Sequence, residues 1–317
     1  MIDIHQHVLP KEYLSALEAR GIMPKGGVPW PKWSPELAME VMDRNGIEKG
    51  IMFISEPGVY FGDKEWARYL ARMVNEYCAR TISDYPGRFG NFALLPLPLV
   101  DDALRELEYA LDTLKLDGVA LLTNYAGKYP GEPEFEELFA ELNRRKAIVF
   151  LHPTSPPPEQ LSKLKIPGYC LEFVFDTTRT ITNLIISGTL ERYRDIRLIC
   201  AHAGGTIPYL AQRLEYTRIR SKEWFPEIEK GAPRGMFAYL QDLYYDTGLS
   251  YGAATLSMLE KFVGYKQILF GSDWPFAPER WLTETVNAVA NCFGSNSKIR
   301  KAVEEDNIVE LLKYSRG

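Results

Sequence analysis

The chain holds only four histidines, and each sits at the C-terminal end of a short apolar run of the kind that forms a buried strand. His5 and His7 close the run that begins at Ile2, His152 follows Ile148-Val149-Phe150-Leu151, and His202 follows Leu198-Ile199-Cys200-Ala201. Asp273 comes just after another such run, Gln267 to Gly271. Imidazole nitrogens and a carboxylate oxygen are the donors that hold zinc, manganese or iron, and three imidazoles with one carboxylate leave positions open for water and substrate. Residues two apart on a strand share a face, so His5 and His7 can aim at one ion. A lone histidine is more often a hydrogen-bonded or surface residue than a ligand. Four of four at strand ends is a different matter, and His5, His7, His152 and Asp273 are expected to bind one divalent metal ion, Zn2+ or Mn2+ among the candidates. His202 stays open between a ligand and a base or substrate contact. Asp3, one pleat before His5, is expected to hydrogen-bond backbone.

These residues need a frame that brings distant strand ends together. Eight candidate strands run from Ile2 to His5, Gly50 to Ile54, Asn91 to Leu95, Gly118 to Leu122, Ala147 to Leu151, Arg197 to Ala201, Leu243 to Tyr245 and Gln267 to Gly271. Amphipathic stretches separate them. Ser34-Pro35-Glu36 offers an N-cap, a first-turn proline and an acid, with Gly46 as the stop. Asp102 is expected to cap a helix bearing Leu104, Leu107, Leu111 and Leu114. Pro133 to Lys146 places Phe135, Leu138, Phe139 and Leu142 on one face, with acids first and bases last. Strands alternating with helices imply a parallel sheet, and eight of them imply an α/β (β/α)8 TIM barrel with the metal at its C-terminal mouth. A doubly wound open sheet is the rival, but no G-x-G-x-x-G follows the first strand. Without a linker-like break, residues 1–317 read as one domain. The insertion from Gly21 to Trp33 can fold over the mouth as a lid or form a solvated loop packed by its aromatics. Trp30, Tyr125, Trp274 and Phe276 are candidate pocket residues for a flat ring, with core packing as the alternative for each.

With 317 residues and 46% apolar content, the chain can bury a core of this size. Its net charge of -5 is spread along the sequence, with no basic stripe, which argues against nucleic acid. No apolar run is long enough to span a bilayer, and Met1 leads directly into a strand, so a cytoplasmic location is expected. Cys78, Cys170, Cys200 and Cys292 form no C-x-x-C pair and are expected as reduced structural thiols.

Four segments resemble the motifs of the amidohydrolase superfamily, in the branch that includes α-amino-β-carboxymuconate-ε-semialdehyde decarboxylase. They are Asp3-Ile4-His5-Gln6-His7, Phe150-Leu151-His152-Pro153, Ala201-His202-Ala203-Gly204-Gly205 and Gly271-Ser272-Asp273-Trp274-Pro275-Phe276, in the order that branch has. Within it, Leu122-Thr123-Asn124-Tyr125, Glu141 to Lys146, Thr177-Thr178-Arg179-Thr180 and Ser187-Gly188-Thr189-Leu190 look most like 6-methylsalicylate decarboxylases and their bacterial relatives. The resemblance implies the metal set already named, with His202 as a proton-handling or substrate-orienting group. It also implies that Arg213, eleven residues after His202, holds a substrate carboxylate, often in a neighbouring subunit's site, and hence a homo-oligomer, a homodimer or higher. The lysine that bridges two metals elsewhere in the superfamily should follow strand 4, where this chain has Thr123-Asn124-Tyr125; Lys128 lies too far along, and one metal is expected. The implied activity is a non-oxidative decarboxylase of a hydroxylated aromatic acid, with Asp273, His202 and Arg213 as its catalytic groups. A hydrolase of a lactone, ester or amide using the same ion is the alternative, and a non-catalytic binding barrel a third reading.

Overall fold

In the computed structural model, residues 1–24, 29–161, 164–220, 222–294 and 296–315 are described. All eight apolar runs form strands. β1 (Ile2–His7), β2 (Lys49–Phe53), β3 (Phe89–Leu94), β4 (Gly118–Leu122), β5 (Ile148–His152), β6 (Arg197–Cys200), β7 (Tyr244–Asp246) and β8 (Ile268–Leu269) lie side by side in that order, each parallel to the next. β8 is short, and the ring closes just beyond it. Ile4 N–H donates to Phe270 O at 3.0 Å, Asp273 N–H to His5 O at 2.8 Å and His7 N–H to Trp274 O at 2.7 Å. Parallel neighbours need crossovers, and helices such as Pro35–Arg44, Lys64–Asp84, Glu136–Arg144, Glu172–Ile186 and Ile207–Arg220 supply them on the outside. The architecture is a (β/α)8 barrel.

The helix signals acted largely as their chemistry dictates. Ser34 Oγ accepts the Leu37 N–H at 3.2 Å, and the helix it caps ends at Arg44. Asp102 is different: the helix starts two residues earlier, at Val100, and the Asp102 carboxylate turns instead to Arg68 and Arg105. Two guanidiniums in reach hold a carboxylate better than the backbone N–H groups of a first turn.

Two layers of apolar side chains hold the barrel. Along β5, Val149 and Leu151 face the helices while Ile148, Phe150 and His152 face inward, the period of two that a strand imposes. The inner layer contains Ile4, Ile51, Phe53, Phe92, Phe150, Ile199 and Leu269, with ring centroids 4.6 Å apart for Phe53 and Phe150. Ile308 and Leu311, from the helix Asn307–Tyr314, join this layer and close the end of the barrel opposite the histidines. β1 breaks the alternation. Asp3 pairs with Gly50 but Gln6 with Met52, so β1 carries one extra residue, a bulge. Ile4 and its neighbour His5 therefore both face inward, His5 against Phe53 and Phe150.

Asp3 pins the bulge. Its carboxylate accepts His5 N–H at 3.1 Å, Gln6 Nε2 at 2.9 Å, and the N–H and hydroxyl of Ser272 at 3.0 and 2.6 Å. Burial pushes its pKa up to about 6 against the pull of those hydrogen bonds.

Phe150 sits beneath the histidines with no exposed surface. Phe150→Ala should cost about 3–5 kcal/mol, read as a lowered urea midpoint at unchanged slope. A loss below about 1 kcal/mol would show that the inner layer collapses freely around the gap.

Candidate active site

The four histidines and Asp273 meet at the C-terminal mouth, all of them buried. His5 Nδ1 lies 2.5 Å from Asp246 Oδ2, so that carboxylate accepts the Nδ1–H, while Nε2 faces the cavity 3.1 Å from Asp273 Oδ1. His7 Nε2 is 2.6 Å from the same oxygen. His152 Nδ1–H donates to Pro153 O at 2.7 Å, and because a carbonyl only accepts, its Nε2 is the free donor atom. His202 Nε2 stands 3.3 Å from the other oxygen of Asp273.

Backbone strain puts two of these residues where they are. Asp273 has φ 66°, and His202, Ala203, Gly204 and Gly205 take φ values of 55°, 54°, 72° and 67°, all in the left-handed region. For a non-glycine residue that costs about 1–2 kcal/mol. His202 N–H donates to Asp246 Oδ1 at 2.6 Å, which helps to hold the turn. Its two glycines are required by space as well as by φ. A Cβ on Gly205 would come within 2.1 Å of Val174 O, and one on Gly204 within 2.6 Å of the Tyr245 ring.

Charge is shared unevenly. Burial pushes the His5 imidazole down, but Asp246 and Asp273 outweigh it and bring its pKa up to about 10. Burial takes His7 down to about 4, and His152 well below the ordinary imidazole value, with the neighbouring histidines adding to it. Burial works against the Asp273 carboxylate, but His5, His202 and His7 hold it well below the usual range.

These residues fit a divalent ion. Donor atoms of His5, His7, His152 and Asp273 lie within 4.8 Å of one another, near the ~4 Å that separates two ligands across one ion at about 2.1 Å from each. His5 Nε2 and His152 Nε2 are buried without a hydrogen-bond partner, and an ion between them would satisfy both. The second carboxylate behind His5 fixes its tautomer, as partners behind metal-bound histidines do.

Above this group opens a cleft of about 390 Å³, the size of a small-molecule site. His7, His152, His202 and Asp273 line its floor, with Trp30, Phe173, Phe276 and Trp281 as aromatic walls and Ser55, Glu56 and Ser250 as polar ones. Phe276 meets the His7 ring edge-on at 4.9 Å. Two of the expected pocket residues lie elsewhere. Trp274 follows the inward-facing Asp273 and pairs its carbonyl with His7, so its side chain alternates outward into the core. Tyr125 lines a separate cavity of about 660 Å³ beside the loops after β2 to β5, where its hydroxyl accepts the Leu122 N–H at 2.9 Å. Arg213 is exposed on Ile207–Arg220 and does not line this cleft. Lys128 is exposed and pairs with Glu134, while Thr123 and Asn124 bind Asp176, so no lysine reaches the ion group from β4. Within the expected lid segment, residues 25–28 lie outside the described residues; Trp33, at its end, is buried in the core.

Asp246, Glu56 and Trp281 were not anticipated. Asp246 had one signal, an acid ending a strand in Tyr244-Tyr245-Asp246, next to Thr247-Gly248. The cysteines are free: Cys78 and Cys200 are buried as expected, whereas Cys170 is exposed at the rim.

Comparison with known proteins finds relatives along nearly the whole chain. A family model described as amidohydrolase matches residues 2–313. The chain is 38% identical to a 6-methylsalicylic acid decarboxylase of Aspergillus aculeatus over 87% of its own length and 84% of that protein. It is 32% identical to a 6-methylsalicylic acid decarboxylase of Penicillium expansum, covering 100% of this chain and 97% of that one. Among solved structures, an amidohydrolase II superposes with a TM-score of 0.89 at 30% identity, covering 98% and 99% of the two chains.

Two outcomes follow from the donor set. With a pKa of about 10, His5 is protonated in metal-free protein at pH 8, so binding a divalent ion should release about one proton, read by calorimetry in buffers of differing ionisation enthalpy. Asp246→Asn should weaken ion affinity about 10–100-fold in a chelator competition; an unchanged affinity would show that Asp246 does not orient His5.

Proposed function

The chain belongs to the amidohydrolase family, and we propose that it is a metal-dependent, non-oxidative carboxy-lyase acting on a hydroxylated aromatic acid of the salicylate or 6-methylsalicylate type. The observation that carries this reading is the convergence of three imidazoles and one carboxylate beneath a ring-sized, aromatic-walled cleft. His5, His7, His152 and Asp273 hold the ion, Zn2+ or Mn2+ by its donor chemistry. When bound, it supplies Lewis acidity and a template for a hydroxyl and carboxylate on adjacent ring carbons.

The chain's own groups do the rest. Phe276 and the other aromatic walls orient the ring and exclude water. The Asp273–His202 pair hands a proton to the ring carbon that bears the carboxylate. A C–H bond forms there, the C–C bond to the carboxylate breaks, its electron pair restores aromaticity, and carbon dioxide leaves. Solvent returns the proton to the pair. The hydrolase alternative uses the same ion, but the decarboxylase relatives favour carbon–carbon cleavage.

We further propose that residues 1–317 act as one domain and that the protein works as a homodimer. Arg213 shares one face of its helix with Tyr209 and Tyr216, both well exposed, and Ile219, Trp224 and Phe225 continue an apolar surface nearby. Burying that surface against a second copy would let Arg213 enter the neighbour's cleft and hold the substrate carboxylate. No helix among the described residues is long and apolar enough to cross a membrane, and with unpaired cysteines we place the protein in the cytoplasm.

Metal-loaded protein should release carbon dioxide from at least one member of a hydroxybenzoate panel and lose that activity on chelation. No release across the panel, or metal-dependent ester hydrolysis that leaves the carboxylate in place, would overturn the assignment. Sedimentation should give a dimer at micromolar concentration, Tyr209→Glu with Tyr216→Glu should give monomer, and Arg213→Ala should raise KM about 10-fold or more. A monomeric wild type would remove this use of Arg213.

A further inference from the structure

Glu56 lines the same cleft as the ion-binding group, three residues beyond the end of β2, and its Oε1 accepts the N–H of Ser155, three residues beyond His152. Glu56 lies in the turn that Gly58 N–H closes on Ser55 O at 2.9 Å, which places its carboxylate in the wall of the cleft that the ion group floors. It is half-buried, and among the described residues that line the cleft none is a lysine or arginine. Asp246 and Asp273 already set two carboxylates against one divalent ion at the floor. On the proposed function the ion and the neighbouring Arg213 both serve the first substrate carboxylate, and no described lining residue offers a lysine or arginine to a second.

We propose that Glu56 is a specificity-determining residue that selects against a second carboxylate on the substrate ring and accepts hydrogen or a hydroxyl in its place. The proposal rests on the decarboxylase reading above and deepens it by defining the substrate class. Two like charges brought together between aromatic walls repel, and a repulsive group of this kind discriminates between ligands that the attractive contacts alone would both accept. A phenolic O–H at the same place donates to the free oxygen of Glu56 and is accepted. Ser155 fixes the other oxygen, so the carboxylate cannot simply turn away.

The test compares wild type with Glu56→Gln, which keeps an oxygen for the Ser155 N–H and removes the charge. Both proteins are metal-loaded, and binding by calorimetry and carbon dioxide release are measured for three kinds of ligand. These are salicylate, its ring-hydroxylated derivatives, and its ring-carboxylated derivatives with the added group meta or para to the first carboxylate. Wild type should bind the carboxylated compounds about 30-fold more weakly than salicylate, and Glu56→Gln should narrow that ratio to about 3-fold. General damage lowers affinity for all ligands in parallel and leaves the ratio intact. A wild type that binds the carboxylated compounds as well as salicylate, or a variant that keeps the full ratio, overturns the role of Glu56 while the decarboxylase reading stands. If wild type neither binds nor turns over any of them, the decarboxylase reading falls and Glu56 selectivity falls with it.

Discussion

Asp273 lies out of water with three imidazoles against its two oxygens, and a buried carboxylate is tolerable only where protons or positive charge surround it. Asp246 meets the same demand by accepting the Nδ1–H of His5 and the backbone N–H of His202. Each carboxylate thus constrains more than one strand end. Moving any of them would strand buried polar atoms, so β1, β6, β7 and the chain beyond β8 are tied together at the mouth as firmly by polar groups as by the sheet. The local strain at His202 and Asp273 persists because those partners over-determine it.

The barrel beneath serves this arrangement. Phe53, Phe92 and Phe150 form a rigid aromatic floor, and the bulge in β1 turns His5 inward out of phase with an ordinary strand. Imidazoles pressed against such a floor have little freedom to rotate, which favours a pre-organised ion site over one assembled on binding. Polar groups higher in the cleft are few, so recognition there depends on the sign of each charge more than on the number of contacts.

Most of the fold was legible because strands such as β4, β5 and β6 are short, nearly continuous apolar runs, as strands covered on both faces tend to be. The convergence of His5, His7, His152 and Asp273 was legible because histidine is rare in this chain and every copy stands at the end of a strand. Asp246 was not, since an acid is a common residue and nothing local distinguishes one that faces a barrel mouth from one that faces water. Tyr125 and Trp274 failed as pocket residues for a geometric reason. Past a strand end, side-chain direction follows the turn, and the continued pairing of Trp274 with β1 sends it outward. Glu56 escaped notice because its place depends on Ser155, about a hundred positions away in sequence.

The seam between β1 and Phe270 to Trp274 joins segments separated by most of the chain. While a nascent chain emerges from the ribosome, His5, His7 and His152 are made well before Asp273, and the helix that plugs the barrel floor comes later still. An incomplete barrel therefore displays open strand edges and three unshielded imidazoles together, an invitation to mispairing and stray metal. A donor group that lacks Asp273 until the last strand is in place can close around an ion only after the ring has been sealed.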